Sequence, residues 1–210
     1  MEFRLLYEGE LQSSGNKSSP AKKHAIRRKF HLQLRRQWVV HEPLRAYAKS
    51  LGVHDHRSRG IFHDPDWPED EQLEAGISSI AREWARVGYD FVPLVTPKHF
   101  VRCSLDILLL RPEETQYIFK QGDVDGQLKT IFDALKLPDN LTETGGVGPR
   151  EDETPFYCLL SDDKLISEVR VTADQLLLLP DQKEVKANDA FVLIHVRLNS
   201  KLPSTYMTHF

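Results

Sequence analysis

The hydrophobic positions fall into a few distinct rhythms. Phe3, Leu5 and Tyr7 alternate along a short stretch, as the inward residues of a strand do. A polar, turn-rich segment follows from Ser13 to Pro20. The period then lengthens: Ile26, Phe30, Leu34 and Trp38 recur every four residues and make one apolar stripe on a helix. Pro43 suits the first turn of a second, short helix carrying Leu44, Tyr47 and Leu51, with Gly52 as its expected stop. Residues 53–71, with Pro65, Pro68 and many acids, read as a loop. Leu73, Ile77, Ile80, Trp84 and Val87 predict a further helix, ended by Gly88.

A long strand is expected over Val101–Leu110. Val101, Cys103, Leu105, Ile107 and Leu109 line one face, and Leu108 and Leu110 make the other face apolar too, which points to a central position in a sheet. Leu128, Ile131, Phe132 and Leu135 mark another helical face. Residues 138–155, rich in Pro, Gly, Thr and acids, read as a long loop and, with 53–71, as a loop insertion. Leu165–Val171 and Phe191–Leu198 are two more strands, joined through residues 174–188. Strand, helices, strand, helix, strand, strand is the order of a mixed α/β or α+β domain, read as a single unit over residues 1–210.

Composition narrows the class. Of 210 residues, 40% are hydrophobic and 28% charged, enough apolar mass for a core and incompatible with wholesale disorder. No apolar run approaches the length of a membrane span, and the opening residues lack the layout of a signal peptide. Cys103 and Cys158 have no metal-ligand spacing and do not suggest a disulfide framework. A soluble, cytoplasmic protein is expected.

Charge changes the picture more. The net charge of −3 hides a basic segment: residues 11–41 hold Lys17, Lys22, Lys23, Arg27, Arg28, Lys29, Arg35 and Arg36 and no acid. Such a stretch suits a phosphate backbone, and Lys22, Lys23, Arg27, Arg28, Arg35 and Arg36 are the candidate DNA-binding residues. A solvated helix face would look the same. His54-Asp55-His56 and His63-Asp64 match no strong metal-ligand spacing and read as exposed loop imidazoles.

The candidate chemistry lies at Asp123-Val124-Asp125-Gly126. In extended chain, residues two apart point to one side, so both carboxylates can aim at one place. Lys129 falls one turn later, and Asp162-Asp163 precedes a strand that can return there. Several carboxylates around one point need a cation, and Mg²⁺ fits an all-oxygen donor set. The same tetrapeptide is also good turn and N-cap chemistry. An EF-hand would need glycine where Leu128 stands and glutamate where Ala134 stands. The haloacid-dehalogenase phosphatases place threonine where Gln127 stands.

Asp123-Val124-Asp125-Gly126-Gln127-Leu128-Lys129, Asp133-Ala134-Leu135 and Asp162-Asp163 ahead of a strand together resemble the RusA family of Holliday junction resolvases. That resemblance implies a small α/β endonuclease, a homodimer that cleaves branched DNA with Mg²⁺ or Mn²⁺ in recombination or repair. It places the metal-binding aspartates on Asp123, Asp125 and Asp163 and the essential lysine on Lys129. Asp133 is then expected to orient Lys129, and Asp162 to form the turn. Leu176–Leu179 and Phe191–Val196 could supply a dimer surface or be buried in the monomer. Two features depart from the family: Gly126 replaces an asparagine, and the stretch between Asp133 and Asp162, like the helical region before Val101, is long. A non-cleaving nucleic-acid-binding protein of the same fold is the alternative.

Overall fold

The computed structural model describes residues 1–13, 19–58, 60, 67–99, 101–112, 124–177 and 189–200, with backbone only at His99 and Ser200. Its main sheet has four strands: β1 (Glu2–Glu10), β3 (Val101–Arg111), β5 (Ile166–Gln175) and β6 (Asp189–Ser200). They lie in the order β1-β6-β3-β5, with β6 antiparallel to both neighbours and β3 parallel to β5. The long strand expected at Val101 therefore sits inside the sheet. Four helices, among the described residues, complete an α+β fold: α1 (Pro20–Val40), α2 (Glu42–Ser58), α3 (Glu69–Glu83) and α4 (Val124–Leu135).

One face of the sheet is the core. Phe3, Leu5 and Tyr7 of β1, Val192, Ile194 and Val196 of β6, and Leu105, Ile107 and Leu109 of β3 are all buried. The two-residue period of a strand puts them on one side. Against them α1 lays Ile26, Phe30, Leu34 and Trp38, the stripe its sequence predicts, each worth roughly 1.5–3 kcal/mol of burial. Ser19 caps this helix by accepting the Lys22 N–H, and Pro20 opens its first turn. Because Val192, Ile194 and Val196 are spent on this core, the Phe191–Val196 stretch is largely absorbed by the monomer.

Three sequence expectations need correction. Gly52 does not stop α2, which runs on to Ser58 and takes the first residues, 53–58, of the expected 53–71 loop. Instead Gly52 and Gly76 let α2 and α3 touch backbone to backbone: a Cβ on Gly76 would overlap the Ala48 carbonyl oxygen, and one on Gly52 the Gln72 carbonyl oxygen. Second, the helix predicted through Val87 ends at Glu83. Val87 (φ 49°) and Gly88 (φ 82°) make a turn bridged by Arg86 and Tyr89. Third, β2 (Phe91–Val95) and β4 (Phe156–Leu160) form a small parallel sheet that no hydrophobic rhythm in the chain marks. Every residue of both strands is buried, so neither shows alternation.

The 138–155 loop is real but pinned down. It holds short 3-10 turns at Leu141–Thr144 and Glu151–Glu153. Side chains of α1 fasten it: His31 bonds the Asp152 carbonyl at 3.1 Å, and Arg28 grips Glu153 through two nitrogens at 2.5 and 3.2 Å.

Candidate metal centre and nucleic-acid interface

Helix α4 carries a polar stripe, Asp125, Lys129 and Asp133, which Lys136 continues just past its end, spaced as one face of a helix requires. On its other side Ile131, Ala134 and Leu135 are buried in the core. Asp125 lies in the first turn, exposed, where the free amide groups favour a negative charge. It is the second helical residue and so not the N-cap. Asp123 lies outside the described residues. Lys129 is exposed one turn along and makes no ion pair among the described residues. Asp133 does not orient it: its carboxylate is bound by Lys23 of α1 at 2.6 Å.

Gly126 has a local cause. Ser13, just beyond β1, places its Oγ where a Cβ on residue 126 would stand. Thr130 Oγ1 lies 2.9 Å from the Gln12 carbonyl oxygen, to which it donates, and 3.2 Å from that of Gly126. Arg111 donates to the Leu11 carbonyl at 2.8 Å. The start of α4 is thus drawn onto residues 11–13, and an asparagine at 126 has no room while Ser13 stays in place.

The second half of the motif follows β4. Asp162 caps a 3-10 turn at Asp163–Leu165 by accepting the Lys164 N–H at 2.9 Å, the turn-forming role expected of it. That bond holds its carboxyl below the usual range against the opposing effect of burial, helped by the charges of Lys164 and Lys136. Asp163 is half-buried, in a turn that packs against α4. Lys136 also feels the charge of Asp163 while bonding Asp139 at 2.8 Å. The signal for Lys136 in the chain is its spacing, seven residues after Lys129, which sets it on the same stripe.

Two acidic groups, Asp125 and Asp163, are thus described and accessible to solvent. Among the described residues no group of three or more His, Cys, Asp or Glu side chains gathers to hold a metal ion. The third candidate ligand, Asp123, falls outside them. Of the loop imidazoles, His54 and His56 lie on α2, with His56 stacked on Trp67 at 4.2 Å and Asp55 paired with Arg82 at 2.7 Å. His63 and Asp64 lie outside the described residues.

The basic residues of α1 divide sharply. Arg27, expected to meet DNA, is only 1% exposed. Its guanidinium donates to the carbonyls of Asp133 (2.6 Å), Lys136 (3.1 Å) and Glu143 (3.2 Å), tying α1 to the end of α4 and to the long loop. A group so enclosed cannot reach a phosphate outside, which corrects the expectation for it. It also donates to His24 Nδ1 at 3.2 Å. His24 is buried beside Tyr89, and burial, with the charges of Arg27, Arg28 and Arg150, pushes its pKa down to about 3. Arg28 is held by Glu153 and Lys23 by Asp133. Lys22 lies at the surface near Glu10 at 3.1 Å, and Arg35 and Arg36 are exposed.

No known protein family matches this chain, and comparisons with curated proteins and with solved structures find no match. The likeness to RusA resolvases rests on the motifs alone. Among the described residues no helix is long and apolar enough to cross a membrane.

Proposed function

We propose that this protein is a metal-dependent endonuclease acting on branched DNA such as Holliday junctions, in recombination or repair. The observation that carries the reading is the placement of Asp125 and Lys129, both exposed, one turn apart on the solvent side of α4, with the Asp163 turn packed against that same helix. Asp123, Asp125 and Asp163 would hold Mg²⁺ or Mn²⁺, hard ions suited to carboxylate oxygens. Held there, such an ion would supply the charge to polarise a phosphate and acidify a water. Lys129 would stabilise charge developing on the phosphoryl oxygens.

The DNA backbone would run along α1 over its exposed cations, Lys22, Arg35 and Arg36. From Lys22 to Arg36 the helix rises about 20 Å, the reach of several phosphates. Paired incision of a four-way junction further needs two sites related by a dyad, and hence a homodimer. A second reading, a non-cleaving nucleic-acid-binding protein, is favoured by Gly126, where Ser13 stands in the room an asparagine would need.

Labelled junction, flap, duplex and single-stranded DNA, incubated with and without Mg²⁺ or Mn²⁺, tests the proposal. Metal-dependent incision of the junction, lost in Asp163→Asn and Lys129→Ala, is expected. Junction binding without incision of any substrate would establish the second reading instead. Replacing Arg35 and Arg36 by Ala should flatten the logarithmic salt dependence of binding by about 0.9 for each lost phosphate contact.

A further inference from the structure

The two edges of the main sheet are treated differently. Along β1, α1 closes the edge: the Gln33 amide donates to the Leu6 carbonyl at 2.7 Å and accepts the Leu6 N–H at 2.8 Å, as a neighbouring strand would. Lys29 donates to the Glu8 carbonyl beside it. On the far side, β5 pairs only with β3 among the described residues. Its ten residues are largely exposed, Ser167–Arg170 without a break. A long open edge is a template for another strand, and proteins guard such edges with charge.

The charges on β5 guard it poorly against itself. Glu168, Arg170 and Asp174 share one face, with signs that alternate, and Glu168 and Arg170 make no ion pair among the described residues. In an antiparallel pair of identical strands, each dyad position fixes which residues face each other. A dyad at Glu168 or Arg170 sets like charges together, and one at Val171 opposes Glu168 to Asp174. A dyad at Thr172 pairs Arg170 with Asp174 but leaves Val169 against Gln175. A dyad at Val169 puts Glu168 opposite Arg170 on both sides, and brings together the two Val169 side chains, each 41% exposed in the monomer.

We propose that β5 pairs antiparallel with β5 of a second copy of this chain about a dyad at Val169, joining two four-stranded sheets edge to edge. The surface is argued from the strand alone, but the dimer it makes is what paired incision needs, so a monomer would count against both. Sedimentation equilibrium of the full chain tests it. Glu168→Arg and Arg170→Glu should each weaken dimerisation on the order of tenfold to a hundredfold, since each sets like charges opposite one another twice. The double variant E168R/R170E rebuilds the pairs in reverse and should restore the dimer. Val169→Cys should cross-link on oxidation, because Cys103 and Cys158 are buried and do not compete. Melting curves confirm that each variant is folded. A wild-type monomer at high micromolar concentration, a dimer indifferent to the single reversals, or a folded double variant that stays monomeric overturns the proposal. Failure of junction cleavage with the dimer intact would count against the nuclease reading alone.

Discussion

Replacing Arg27 by alanine removes the clasp that joins α1, α4 and the long loop. Three carbonyls, those of Asp133, Lys136 and Glu143, lose a charged donor and face a cavity, and His24 Nδ1 loses its partner. Hydrogen bonds to a charged group are worth about 1.5–3 kcal/mol each, but the buried guanidinium gives part of that back through its lost hydration. A net loss of about 3–5 kcal/mol is expected, in line with opening other buried charged networks. For a chain of 210 residues that lowers the melting temperature by roughly 6–20 °C. Arg36→Ala, at an exposed position of the same helix, should change stability by less than about 0.5 kcal/mol. Thermal unfolding followed by circular dichroism or calorimetry reads both. If Arg27→Ala melted within about 2 °C of the wild type and its main defect were weaker DNA binding, the arginine would be a surface contact and the clasp would be wrong.

Two further outcomes follow from the packing. Gly76→Ala forces a methyl group into the Ala48 carbonyl of α2, and since backbone cannot step aside cheaply the variant should lose about 1–3 kcal/mol or fail to fold, which urea unfolding measures. The second is acid sensitivity. His24 titrates at about 3 when folded, against roughly 6.5 when unfolded. Below the unfolded value the open chain binds a proton that the folded chain refuses, so its contribution is complete above pH 6.5 and is lost as pH falls toward about 3. At pH 5 the loss is about 2 kcal/mol from this residue alone. His31 adds to it, because its pKa is lowered chiefly by burial and its Nδ1 accepts the Tyr157 N–H. An NMR titration in which the His24 imidazole protonates near pH 6.5 in the folded protein would refute this.

The elements legible in the chain are those whose side chains alternate between core and solvent. The four-residue rhythm of α1 and the two-residue rhythm of β1 and β6 arise because one face of each is wet, and β3 declared itself by its length. The chain also showed the start of the candidate site, since Asp125 and Lys129 sit on a helix whose apolar positions are plain. The rest came only with packing. Strands β2 and β4 are buried on every side, so their five-residue runs carry no period to read. Gly52 looks the same in sequence whether it ends a helix or admits another. Only the approach of Gly76 and Gln72 from α3 decides which. Arg27 and Arg36 are likewise equal members of a basic stretch. What separates them is the set of backbone carbonyls that folding brings from more than 100 residues away, and a donor finds such partners by position in space, not by order along the chain.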